Sequence, residues 1–102
     1  MTNLSPVASQ IMDCIPVLIR STLGIDEDSM VDVDEKRGGV QFQTSRGLTF
    51  TIVNNFWDYF DLTITDTDGN VVKAWTEDDE SVPVQSLPNA WNLYEFIIKE
   101  VI

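Results

Sequence analysis

Histidine is absent from this chain, and with it the side chain most often used as general base or metal ligand near neutral pH. Cysteine occurs once, at Cys14. A lone cysteine excludes an internal disulfide, fits a reducing cytoplasm, and leaves a thiol nucleophile without a histidine partner. The glycines at 24, 38, 39, 47 and 69 form no G-x-G-x-x-G, P-loop or G-x-S-x-G pattern. No apolar run approaches the ~18 to 20 residues that cross a bilayer. The opening "MTNLSPVASQ" lacks the basic stretch and apolar core of a secretory signal. Positive charge is scarce too, with six Lys and Arg against seventeen Asp and Glu and a formal net charge of -11. Binding nucleic acid directly through its phosphates needs clustered cations that this chain does not have. Anionic membrane surfaces would repel it. Basic proteins would attract it.

What is present is the material of a folded protein. The 102 residues, 43% of them hydrophobic, suit one globular domain, 1–102, that hides about two thirds of its surface. Residues 5–23, "SPVASQIMDCIPVLIRSTL", read as helix: Ser5 caps, Pro6 suits the first turn and Gly24 closes the end. Val7, Ile11, Ile15 and Leu18 mark an apolar stripe, and Pro16 predicts a kink or two short helices. From about residue 30 the period becomes two. Val31 and Val33, then Val40 and Phe42, then Leu48, Phe50 and Ile52, then Phe60, Leu62 and Ile64, alternate with polar residues, and "VVKAWT" follows. Gly38-Gly39, Arg46-Gly47 and Asp68-Gly69 punctuate these runs as turns. The C-terminal "SLPNAWNLYEFIIKEVI" returns to helix, with Ser86 or Asn89 as cap. Ala90, Leu93, Tyr94, Ile97 and Val101 form its apolar face, broadened by Trp91 and Ile98. The expected architecture is α+β in two layers: an antiparallel meander of four to five strands, with a proline-kinked N-terminal helix and a C-terminal helix packed on one face.

The segment "TDTDGN" admits two readings. Counted from Asp66, Asp68, Asn70 and Glu77 fall at positions 3, 5 and 12 of an EF-hand loop. The required glycine at position 6 is Val71 instead, and the flanks read as strands rather than helices. Asp-Gly between two alternating runs is a strong hairpin signal. The sequence therefore predicts a turn, with no metal and no cofactor.

Three surface features remain. Asp26, Glu27, Asp28, Asp32, Asp34 and Glu35 crowd one acidic stretch, and Glu77, Asp78, Asp79 and Glu80 are consecutive. Phe56, Trp57, Asp58 and Tyr59 place aromatic side chains in an expected turn, in the manner of interface anchors. Solvated strand edges and a loop folded back on the core account for the same residues without any partner. Paired carboxylates such as Asp58 and Asp61 are the one opening for a glycosidase-like hydrolase, but nothing in the sequence fixes their separation. The reading that uses all three features is a non-catalytic, cytoplasmic binder, monomeric or homodimeric. Its partner is a basic protein surface, such as that of a nucleic-acid-binding complex. In general character the chain is similar to the small acidic phage proteins that inhibit host defence, anti-CRISPR and DNA-mimic proteins among them. No motif carries that likeness, so it assigns no residue. An acidic immunity protein or antitoxin against a cationic nuclease, or a small secretion chaperone, would share the composition.

Overall fold

The computed structural model describes residues 4–34, 36–55 and 59–101. Two short helices open it, α1 (Pro6–Asp13) and α2 (Val17–Leu23). The hydroxyl of Ser5 accepts a hydrogen bond from the Ala8 amide at 3.2 Å, and Pro6 enters the first turn, where its missing N–H costs nothing. Pro16 then ends the helical ladder, because it has no amide to offer the Met12 carbonyl. That carbonyl is taken by the Ile15 amide at 2.9 Å and by the Arg20 guanidinium, whose Nε also donates to the Ile15 carbonyl at 2.9 Å. One arginine from α2 thus closes the C-terminal end of α1. Gly24 follows in the left-handed conformation, and a Cβ there would sit 2.2 Å from the Ser45 hydroxyl.

The chain next makes five strands: β1 (Ile25–Val33), β2 (Gly39–Thr44), β3 (Thr49–Asn54), β4 (Phe60–Thr65) and β5 (Val71–Trp75). They form one antiparallel meander in sequence order, β1-β2-β3-β4-β5. The alternation decides which face is buried. Val40 and Phe42, Phe50 and Ile52, and Phe60, Leu62 and Ile64 point to one side and are almost fully buried. Phe42 lies opposite Phe50, and their rings stack with centroids 5.2 Å apart. Ala8, Ile11, Met12, Ile15, Ile19 and Leu23 of the N-terminal segment cover that face. Leu93 and Ile97 of α3 (Leu93–Glu100) join them, and Phe96 meets Trp75 edge-on at 5.0 Å. The other sheet face carries Gln41, Thr51, Thr63 and Ala74 in one row, with Gln41 donating to the Thr51 hydroxyl at 3.0 Å. The fold is the expected two-layer α+β arrangement, with five strands.

Two local expectations are corrected. The sheet starts at Ile25, not near residue 30, because β1 carries a wide irregularity: five steps from Asp26 to Val31 match two from Gln43 to Gln41. The Ser29 hydroxyl spans the gap, accepting from the Gln43 amide at 2.8 Å and donating to the Asp26 carbonyl at 2.6 Å. Alternation is lost over those residues, so no period of two announces the strand. At the other end, helix begins only at Leu93. Ser86 belongs to a 3-10 turn (Val84–Ser86), and Asn89 caps a local turn, accepting from the Trp91 and Asn92 amides at 2.9 and 3.0 Å. Trp91 therefore lies ahead of the helix and is 84% exposed, and Ile98 faces outward at 46%, so neither broadens the buried face. No helix among the described residues is long and apolar enough to cross a membrane.

Phe42→Ala should cost about 3–5 kcal/mol in a urea titration, since it empties the centre of the stacked pair. Leu18→Ala, at a position 75% exposed, should stay within about 0.5 kcal/mol of the native chain. Equal losses would place the core elsewhere.

Candidate interaction site at the acidic end of the sheet

In an antiparallel meander the far ends of β1, β3 and β5 lie beside the starts of β2 and β4. That geometry gathers residues far apart in sequence. Arg37, in the β1–β2 connection, donates from Nε to Asp34 Oδ2 at 2.9 Å. Its NH1 reaches Asp61 Oδ2 on β4 at 3.4 Å and Glu77 Oε1 beyond β5 at 3.5 Å. Asp61 is the outward-facing residue between Phe60 and Leu62, yet only 7% exposed. Its other oxygen accepts from Asn55 Nδ2 at 3.1 Å and from the Glu77 amide at 3.0 Å. Asn55 in turn accepts from the Tyr59 amide at 3.1 Å and donates its own amide to the Tyr59 carbonyl at 2.9 Å, closing the β3–β4 connection. Asn54 Nδ2 donates to the Arg37 carbonyl at 3.4 Å. One guanidinium and its neighbours thus hold three connections at the same end.

Electrostatics here run in both directions. The Arg37 amide and guanidinium, both bonded to Asp34, hold its carboxyl below the usual carboxylate range. Asp34 conversely raises Arg37. Asp34 also has a positive φ of 53°, a conformation that aspartate tolerates better than most residues. A carboxylate with a depressed folded pKa stabilises the fold above its unfolded value of about 3.9. That contribution is lost as pH falls through the lower folded value.

The acidic residues singled out from sequence divide into two groups. Asp34, Asp61 and Glu77 come together on Arg37, Asp78, Asp79 and Glu80 follow Glu77 in the chain, and Asp32 lies at the same end of the sheet opposite Val40, on the helix-covered face. Asp32 is partly committed, with both carboxylate oxygens accepting from the Ser5 amide at 3.0 and 3.1 Å. Asp79 accepts from the Ser81 hydroxyl at 2.6 Å and its amide at 3.0 Å, which lowers its pKa. Asp78 and Glu80 are exposed. Asp26, Glu27 and Asp28 occupy the opposite end, where Asp26 accepts from the Asp28 amide at 3.1 Å and Glu27 lies 3.9 Å from Arg20. Tyr59 is half-buried beside Asn55. Glu35, Phe56, Trp57 and Asp58 lie outside the described residues. Sequence reasoning did not single out Arg37. Its one advance signal is a Lys-Arg pair, Lys36-Arg37, directly after the first acid-rich stretch.

The segment "TDTDGN" is a hairpin turn. Thr65 pairs with Val71, the Asp66 amide donates to the Asn70 carbonyl at 2.9 Å, and Gly69 takes a φ of 83°. Asp66 Oδ1 accepts from the Asp68 and Asn70 amides at 2.9 and 3.0 Å. Glu77 stands at the other end of β5, about 17 Å away at strand spacing. It cannot share an EF-hand loop with Asp66. Among the described residues no group of acidic or sulfur ligands is arranged to hold a metal.

No protein-family model, curated protein or solved structure matches the chain. Fold and site together define a small acidic α+β protein whose sheet ends carry its charge.

Arg37→Met should lower stability by about 2 kcal/mol at neutral pH, because it leaves Asp61 and Glu77 facing each other without a cation. The deficit should narrow below about pH 4, where the native chain also loses its Asp34 contribution. A deficit that does not change with pH would mean that Arg37 acts through packing alone. Millimolar calcium should raise the melting temperature no more than magnesium does. A calcium-selective rise abolished by Asp66→Ala would overturn the hairpin assignment.

Proposed function

We propose that this protein is a non-catalytic binder whose acidic end engages a basic surface on a nucleic-acid-handling protein in the cytoplasm, and thereby inhibits or neutralises it. The observation that carries this reading is the convergence of Asp34, Asp61 and Glu77 on Arg37, from three segments spread over some forty residues, with Asp78, Asp79 and Glu80 following Glu77 in the chain. Asp78 and Glu80 extend outward from a base already fixed by Arg37. A preordered charged surface loses little freedom on binding and steers encounter with a cationic partner.

A carboxylate-based hydrolase is less well supported. A groove of about 530 Å³ is lined by Val7, Gln10, Ile11, Asn54, Phe60 and Trp91. Among the described residues no carboxylate lines it. In the acid cluster, Arg37 holds the Asp34 carboxyl below its usual range, the opposite of the raised pKa that a general acid needs.

The experiment is affinity capture from a bacterial lysate at low and at physiological salt, repeated with Asp78→Lys/Asp79→Lys. Bound proteins should be basic, and their association rate should fall about tenfold in the variant, with a shallower salt dependence. Capture of acidic proteins, or binding indifferent to salt, would reject the reading.

A further inference from the structure

The two edges of the sheet are built differently. Among the described residues β1 and β5 each pair with one neighbouring strand only, so each has an outer side that joins no strand ladder. At β1 that side is guarded. The irregularity between Asp26 and Val31 breaks the regular ladder, and Asp26, Glu27 and Asp28 occupy it. At β5 the acids are missing, and the irregularity is confined to the end next to the hairpin. Val71–Trp75 contains no acid, Val71 and Val72 are 63% and 51% exposed, and Lys73 and Ala74 are exposed as well. The irregularity there is a bulge at Val72, beside the hairpin, where the single step from Ile64 to Thr65 on β4 matches two steps from Lys73 to Val71, and the ladder is regular from Lys73 to Trp75.

Lys73 does not serve as a guard. Its Nζ donates to the Glu100 carbonyl at 2.8 Å and lies 5.9 Å from the centre of the Trp75 ring, which holds the side chain on the helix-covered side of the sheet. The chain that follows also leaves the edge open. Glu77 turns toward the middle of the sheet, where its amide bonds Asp61 and its carboxylate bonds Arg37.

Both ends of this open edge are acidic. Asp66 and Asp68 lie in the turn before Val71, and Glu77, Asp78, Asp79 and Glu80 follow Trp75. We propose that β5 takes up an extended segment of the basic partner as a sixth strand, with lysine or arginine on either side of an uncharged core of about five residues. The inference rests on the functional reading above and assigns the backbone contact that reading leaves open. Main-chain hydrogen bonds along β5 supply the docking, and Asp68 at one end and Asp78 at the other select the flanking cations. A second copy of this chain fits less well. Symmetric antiparallel pairing of two β5 edges sets the Asp66–Asp68 turn of each copy against the acids after Trp75 of the other, placing like charges together at both ends.

The test uses the full chain, labelled with nitrogen-15, and a synthetic peptide of five alternating valines and threonines with two lysines at each end. On titration the backbone amides of Val71–Trp75 should shift and their hydrogen exchange should slow, while those of Ile25–Val33 stay unchanged. The same peptide ended with glutamates should bind on the order of tenfold or more weakly. Asp68→Lys/Asp78→Lys should weaken the lysine peptide comparably. Shifts confined to Asp32, Asp34 and residues 77–80 would overturn strand addition while leaving the acidic end as the binding surface. Equal affinity for the glutamate peptide, or no binding of the lysine peptide, would overturn it as well. So would a chain that sediments as a dimer with its β5 amides already protected. The lysate capture judges the functional reading independently of all these outcomes.

Discussion

One guanidinium among three carboxylates sets the terms for this structure. Arg37 is the cation shared by Asp34, Asp61 and Glu77, which arrive from the first connection of the sheet, its fourth strand and the segment after its fifth. Two of these acids are largely shielded from water, with side chains 9% and 12% exposed for Asp61 and Glu77. Without the cation they would repel at short range in a medium that screens poorly. With it, each contact is a charge-assisted hydrogen bond. Asn55 and the Glu77 amide satisfy the remaining oxygen of Asp61. The meander brings the three connections to this end, and the network holds them there.

Elsewhere the chain manages its acidity by keeping it off the sheet faces. The covered face is apolar, and the row Gln41, Thr51, Thr63 and Ala74 on the open face is neutral, with Asp61 drawn into its network beside it. Acids collect instead at connections, turns and the β1 edge, where repulsion between them is screened by solvent. Scarce cations are used where backbone or buried charge requires them: Arg20 on the carbonyls freed by Pro16, Arg37 among the carboxylates, Lys73 at the end of α3.

Much of the fold was legible in the sequence because local rules and global packing agree there. Val40 and Phe42, Phe50 and Ile52, and Leu62 and Ile64 alternate in strands flanked by regular pairing, so period and face coincide. Pro16 broke the helix where its missing amide demanded a break. Legibility ended where a local signal had two structural outlets. Asn89 meets every requirement of a helix cap and caps a turn instead, leaving Trp91 in water. The irregularity in β1 erased the alternation that would have marked its start. The role of Arg37 was hidden for a different reason: Asp61 and Glu77 are 24 and 40 residues away, and composition does not show which acids a given arginine will reach.

The same cluster also differs in its charge spacing from a copy of duplex DNA. Acids on alternate positions of one strand are about 6.7 Å apart, far sparser than the one charge per ~1.7 Å of axis that a duplex carries. Arg37 brings three carboxylates within 3.5 Å of a single group, which no strand spacing achieves, but it does so by offsetting part of their charge. What then faces outward is a compact rim, Asp78 and Glu80 with the remaining field of the cluster behind them, and not an extended row of charges with a regular repeat. Such a rim matches a few lysines or arginines on a folded protein, whose positions need no helical register. It matches poorly a groove shaped to follow a phosphate backbone over several turns. Under the proposed function, this charge arrangement suits local contact with a basic protein better than imitation of the nucleic acid that such a protein would bind.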